Sequence, residues 1–291
     1  MKSPAVLRAP TMWKLPTFVK EGQLETGGVK FRYLETQPAA APTRSVLLLH
    51  GFGARSELWI PLLKDLPRDW QIVAPDFPGH GLSAQLPGKS RTIPDYHRAL
   101  ASFLEAKFPG KVSIVGSSMG GALAVMLALS HPDKVDRLVL AGASGLTPKL
   151  PSKTVRLYFP YILGTYFFAP SEAKFRSFLT KGVFHDPKYI EDRWLKVLAE
   201  EWKPRPRRMS YVATANGMRR PDASVTASLG KVKAPTLLLW GKNDAHFDCA
   251  ENEAAAKAIP GSRFVSFDAC GHLALTEKYR ESLAELRTFF G

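Results

Sequence analysis

The pentapeptide Gly116-Ser117-Ser118-Met119-Gly120 places one hydroxyl midway between two glycines. That spacing suits a nucleophile on a tight strand-to-helix turn, where the backbone is strained and Cβ atoms two residues away would clash. Ser118 is the candidate nucleophile. Ser117 is the rival hydroxyl, but it occupies the variable position and lacks the glycine spacing on both sides. A serine attacks at neutral pH only when a neighbouring base takes its proton. Of the seven histidines, His272 stands in Ala269-Cys-Gly-His272, directly after the last strand-like run, and is the candidate base. His246 is its rival, with a pocket or surface role the simpler reading; His97, His131 and His185 fall in helical or insert contexts that suit surface or packing roles. The imidazole needs a carboxylate to fix its tautomer. Asp244, in Gly241-Lys-Asn-Asp244 after a run ending at Trp240, is the candidate, with Asp248 and Asp268 as alternatives. The loop Gly142-Ala-Ser-Gly145 holds no carboxylate, which favours Asp244.

Attack on a carbonyl creates an oxyanion that needs two N–H donors. The backbone N–H of Met119, after the nucleophile, is one candidate. The backbone N–H of Phe52, in His50-Gly-Phe-Gly53, is the other, against the alternative that this run is an ordinary turn. Asp76-Phe-Pro-Gly-His-Gly-Leu-Ser83 reads as a structural turn supporting that loop, with Asp76 and His80 outside the chemistry.

These residues require elements that bring them to one edge of a sheet. Continuous apolar runs at Ser45–His50, Gln71–Pro75, Val112–Gly116, Arg137–Ala141, Pro235–Trp240 and Arg263–Phe267 suit strands buried on both faces. Helical spacing lies between them at Leu58–Leu66, Tyr96–Phe108, Gly120–Ser130, Glu251–Ile259 and Leu275–Phe290. The alternation predicts an α/β fold with a mostly parallel central sheet flanked by helices. The rhythm fails over 147–229, a segment rich in aromatic and basic residues, which reads as a mostly helical cap inserted between two strands. The core is then 26–146 with 230–291, and 1–25 is an N-terminal extension.

Together these motifs resemble the serine-nucleophile branch of the α/β-hydrolase superfamily, from about Gly28 to the C-terminus. Gly51-Phe52 with Trp59, Pro78-Gly-His80, Ser118-Met-Gly-Gly121 and Trp240-Gly-Lys-Asn-Asp244 resemble monoacylglycerol-lipase-like and carboxylesterase-like members. That resemblance implies hydrolysis of monoacylglycerols or similar short to medium acyl esters through an acyl-enzyme. A second branch hydrolyses carbon–carbon bonds of aromatic ring-fission products and shares Ser-Met-Gly-Gly. Its members tend to carry tryptophan after the catalytic histidine, where this chain has Leu273. Relatives with an aspartate nucleophile are disfavoured by the serine at position 118.

The chain of 291 residues carries a formal charge of +14. Thr147 to Lys233 holds 17 Lys and Arg against 7 Asp and Glu, so the excess is concentrated there. A solvated basic face and contact with an anionic membrane both fit that charge. The aromatic run Leu157 to Phe168, ringed by Lys149, Lys153, Arg156 and Lys174, suits a headgroup region, an acyl pocket or packing. No nucleic-acid motif accompanies the charge, so nucleic acid is not an expected partner. The first twenty residues are broken by Pro4, Pro10 and Pro16 and carry Lys2, Arg8 and Lys14, unlike a secretory leader. A cytoplasmic protein, peripheral to membrane at most, is expected. Two cysteines, Cys249 and Cys270, read as free thiols. His and Cys spacing matches no zinc site, and the chemistry calls for no metal or cofactor.

Overall fold

A computed structural model describes residues 14–88, 90–147 and 170–291. Eight strands form one sheet: β1 (Val19–Thr26), β2 (Val29–Thr36), β3 (Arg44–Leu49), β4 (Trp70–Pro75), β5 (Val112–Ser117), β6 (Val135–Ala141), β7 (Thr236–Gly241) and β8 (Arg263–Phe267). Their order is β1-β2-β4-β3-β5-β6-β7-β8. β1 pairs antiparallel with β2, and β2 antiparallel with β4; every later pairing is parallel. The expected α/β architecture is present, with a mostly parallel sheet.

The helices between the strands are α1 (Ile60–Asp65), α2 (Ile93–Lys107) and α3 (Met119–Ser130). Then come α4 (Glu172–Phe178), α5 (Asp192–Trp202), α6 (Arg205–Gly217), α7 (Cys249–Ala256), α8 (Ala274–Glu277) and α9 (Tyr279–Phe290). α2 starts on a capping box: Asp95 N donates to Thr92 Oγ1, and Thr92 N donates to Asp95 Oδ2 at 2.8 Å. α3 is apolar on every side and almost wholly buried, as suits a helix packed directly behind the central strands.

Alternation along β3 divides the core. Leu47 and Leu49 join α2 and α3 on one face, while Val46 and Leu48 join α1 and α9 on the other. Burying each of these side chains removes it from water on a sheet covered from both sides, worth about 1.5–3 kcal/mol apiece. A third apolar cluster, with Phe175, Leu195, Trp202 and Tyr211, lies in the segment between β6 and β7. The described part of that segment is helical, with a π-turn at Leu179–Val183 between α4 and α5.

Two differences from the sequence expectation stand out. The sheet starts at Val19, inside the stretch read as an extension, because β1 and β2 form an edge hairpin. β1 alternates rather than running apolar, since one side of it faces solvent. Gly27 and Gly28, at φ 57° and 74°, make the two-residue turn, a signal that Thr26-Gly-Gly-Val29 does carry. The single helix expected over Leu275–Phe290 is broken at Lys278, whose φ −119° and ψ 46° leave the helical region and separate α8 from α9. The aromatic run Leu157 to Phe168, with Lys149, Lys153 and Arg156, lies outside the described residues.

Candidate active site

Ser118 stands between β5 and α3 at φ 53° and ψ −119°, a left-handed conformation that costs a non-glycine residue of the order of 1–3 kcal/mol. The turn is tight enough to exclude Cβ atoms on both sides. A Cβ at Gly116 would lie 2.4 Å from Gly120 O, and one at Gly120 would lie 2.2 Å from Leu49 O. The glycine spacing therefore serves chain-to-chain contact, and the strained serine is held by Ser118 N donating to Ala141 O at 3.0 Å.

His272 comes from the loop between β8 and α8, 154 residues further along the chain. Its Nε2 lies 2.9 Å from Ser118 Oγ, and its Nδ1 lies 2.8 Å from Asp244 Oδ2. Both rings of contact are shielded: His272 is 5% exposed and Asp244 9%. The other carboxylate oxygen, Asp244 Oδ1, accepts from His246 N at 2.7 Å and Phe247 N at 3.1 Å. Burial works to raise the Asp244 pKa, but the charge and hydrogen bond of His272 and the backbone donors outweigh it and hold the carboxyl below its ordinary value. An ionised Asp244 keeps the proton on Nδ1 and leaves Nε2 facing the hydroxyl as an acceptor. Gly142, at φ 53°, lets the loop after β6 approach: a Cβ there would meet His272 O at 2.7 Å.

The His50-Gly-Phe-Gly53 loop reaches the same point. A Cβ on Gly51 would sit 3.0 Å from Ser118 Cβ. His50 fixes the loop, its Nδ1–H donating to Gly51 O at 2.7 Å while Nε2 accepts from Phe77 N at 2.9 Å. Burial pushes its pKa down to about 4, so it stays neutral in this role. Met119 opens α3, where first-turn N–H groups have no intrahelical acceptor. The Phe52 ring packs edge-on against His80, Trp202 and Tyr211, joining the loop to α5 and α6.

Behind the loop lies a buried charge network that no local pattern of residues foreshadows. Arg55 bonds Glu57 through Nε at 2.6 Å and Glu201 of α5 through Nη1 at 2.8 Å. Arg32 of β2 bonds Glu57 and Asp76, and Asp76 Oδ1 accepts from Ser56 N at 2.7 Å. Burial opposes ionisation of Asp76, but Arg32 and Arg55 keep its pKa below the ordinary carboxylate range. Asp76 and the buried His80 thus support the loop, in line with a turn that stands outside the chemistry. The participating residues span positions 21 to 201, and apart from Arg55, Ser56 and Glu57 they are distant in the chain.

A cavity of about 480 Å³ opens over Ser118 and His272. Phe52, Phe175, Phe178, Trp194 and Trp202 make much of its wall apolar, and Arg219 and Arg220 stand at its polar side. Such a space suits an acyl chain next to a polar group.

His246, the weighed rival for base, lines the cavity with its ring stacked on His272, at 4.7 Å between centroids and 18° between planes. Burial, then the neighbouring His272, lowers its pKa to about 4. Asp244, His246 and His272 hold potential metal-ligand atoms within 4.8 Å of one another. A zinc ion lies in the plane of each ligating imidazole at about 2.0–2.1 Å. Two nearly parallel stacked rings cannot both meet that condition, and both nitrogens of His272 already have partners. The cluster fits proton transfer better than a metal. Asp248 caps α7, and Asp268 pairs with Lys242, so neither reaches His272. Cys249 and Cys270 are free thiols whose pKa values burial raises to about 11 and about 12.

A family model described as the alpha/beta hydrolase fold matches residues 44–279. The monoacylglycerol lipase abhd6-B of Xenopus laevis is 29% identical over 284 residues, covering 91% of this chain and 80% of that protein. The 2-hydroxy-6-oxo-6-(2'-aminophenyl)hexa-2,4-dienoic acid hydrolase of Metapseudomonas resinovorans is 31% identical, covering 87% and 85%. The crystal structure of a membrane phospholipase A, a bacterial virulence factor, superposes with a TM-score of 0.80 at 25% identity, over 94% of this chain and 86% of that one.

Proposed function

Because this chain belongs to the α/β-hydrolase fold family, we propose that it is a carboxylic ester hydrolase acting on monoacylglycerols or similar short to medium acyl esters. The observation that carries the reading is the hydrogen-bonded series Ser118–His272–Asp244 opening onto an apolar cavity. The similarity to the Xenopus laevis monoacylglycerol lipase supports it.

In this reading His272 Nε2 takes the Oγ proton as Ser118 attacks the ester carbonyl. The oxyanion is received by the backbone N–H groups of Phe52 and Met119. Collapse breaks the bond to the alcohol oxygen, which leaves with the proton from His272. Water, deprotonated by the same imidazole, then cleaves the acyl-enzyme. Asp244 remains ionised and stabilises the imidazolium throughout. The described residues 170–229 act as a cap over the cavity.

The substrate class and the basic charge of 147–233 support peripheral contact with an anionic membrane. Among the described residues no helix is long and apolar enough to cross one. Co-sedimentation with liposomes checks this part; equal binding to neutral and anionic vesicles refutes it.

A carbon–carbon hydrolase is the second reading, favoured by 31% identity to the dienoic acid hydrolase. Leu273, beside the base and lining the cavity, is the departure that weighs against it. The deciding measurement is turnover of p-nitrophenyl esters from acetate to palmitate, by the native chain and by Ser118→Ala. Turnover that peaks at one acyl length and falls by orders of magnitude in the variant supports the esterase. Cleavage of ring-fission dienoates with no ester turnover replaces it by the second reading.

A further inference from the structure

Glu277, the last residue of α8, is 4% exposed and aims its carboxylate away from solvent into a junction of two loops. Its Oε1 accepts from Gly271 N at 2.7 Å. Its Oε2 accepts from His185 N at 2.8 Å and from Asp186 N at 3.0 Å. Gly271 is the residue before His272. His185 and Asp186 belong to the segment between β6 and β7. The junction closes from the other side as well: His272 N donates to Val183 O at 2.7 Å. The approach is so close that a Cβ on Gly271 would lie 2.4 Å from Val183 O.

We infer that Glu277 is a positioning residue: it fastens the His272 loop to residues 183–186, so that the place of the base is set jointly by the sheet and by the segment between β6 and β7. The inference rests on His272 serving as the base. Its physical ground is the number of donors. Three backbone N–H groups converge on one side chain, and only an ionised carboxylate offers acceptors on both oxygens. Bonds to such a charge are about twice as strong as neutral ones. An amide in the same place turns one acceptor into a donor that faces N–H groups. It therefore loses either the Gly271 bond or the pair from His185 and Asp186, and the loop is released from one anchor. A second consequence follows for the segment itself. Val183 lines the cavity, so this anchor also holds one part of its wall in place.

The test compares the native chain with Glu277→Gln and Glu277→Asp, the latter keeping the charge but too short by one methylene to reach both loops. Three readouts are needed: kcat and KM on the best p-nitrophenyl ester, thermal midpoint, and the downfield proton resonance of His272 Nδ1–H. A displacement of order 1 Å costs about 100-fold in rate. Glu277→Gln is expected to lower kcat by 10- to 100-fold with KM within about 3-fold, and to shift or broaden the resonance, while the chain stays folded. Glu277→Asp is expected to fall between. If Glu277→Gln does not fold, Glu277→Asp carries the test alone. A folded variant with native kcat and native resonance overturns the inference, as does a lower thermal midpoint with no change in the other two. The resonance reads the place of His272 without turnover. A native chain inactive on every ester, with a resonance that moves in Glu277→Gln, sinks the esterase reading and leaves the positioning role standing.

Discussion

The ring of His246 lies parallel to that of His272, 4.7 Å away between centroids. A neutral second imidazole braces the proposed base on one face while Asp244 and Ser118 hold its edges. Such ring pairs are worth about 0.5–1.5 kcal/mol beyond their buried area. His246→Phe keeps a flat ring there and is expected to retain most of kcat. His246→Ala removes the stack and is expected to lower kcat by up to about 10-fold. Steady-state kinetics on one ester separates the two.

The buried His50 and His80 and the partly buried His246 tie stability to pH. Burial lowers His50 and His246 to about 4 and His80 to about 3, against an unfolded value of about 6.5. The unfolded chain therefore binds protons that the folded chain refuses. The stability is fully present above about pH 6.5 and is lost as pH falls towards 4, each imidazole adding about 1.4 kcal/mol per pH unit within that window. Urea unfolding at pH 7, 6 and 5 measures the slope. His246→Phe should reduce it by the equivalent of one proton; an unchanged slope would count against a neutral His246.

Asp244→Asn keeps the shape of the site but lets the amide donate to Nδ1, favouring the tautomer with its proton on Nε2. That proton points at Ser118, and the hydroxyl has no acceptor. A fall in kcat of about 10⁴-fold with the fold intact is expected. Near-native turnover by this variant would remove Asp244 from the proposed mechanism.

Arg55 and Glu201 join the loop behind Phe52 to α5, with both side chains under one-tenth exposed. Glu201→Ala leaves Arg55 with Glu57 alone and is expected to destabilise by about 3 kcal/mol. The Arg55→Met, Glu201→Leu double variant removes both charges and is expected to recover much of that loss. Denaturant midpoints of the singles and the double give the coupling directly.

Gly120 and Gly53 separate contact from conformation. A Cβ on Gly120 meets Leu49 O at 2.2 Å, so Gly120→Ala must move backbone and is expected to abolish activity and folding together. Gly53 has φ 71° and nothing within 4 Å of its Cβ direction. Gly53→Ala is expected to cost only about 1–2 kcal/mol and to leave a folded protein.

The turn bearing Ser118, the run of buried strands and the helices behind them were legible in the sequence because each depends on neighbours in the chain. Gly116 and Gly120 answer a local crowding, and the Leu-rich runs of β3 and β7 answer burial on both faces. The hairpin of β1 and β2 was legible only through Gly27-Gly28, since an edge strand half in water has no continuous apolar run. Which histidine would meet Ser118, and which carboxylate would meet that histidine, could be argued from loop position, but the 2.9 Å and 2.8 Å contacts that join Ser118, His272 and Asp244 come from three loops at one sheet edge. Tertiary structure alone decided the partners of Glu277, Arg55 and Glu201. Glu277 reaches His185 across 92 residues and Arg55 reaches Glu201 across 146, and a charge that is buried only after the chain has folded leaves no periodicity or spacing behind it in the sequence.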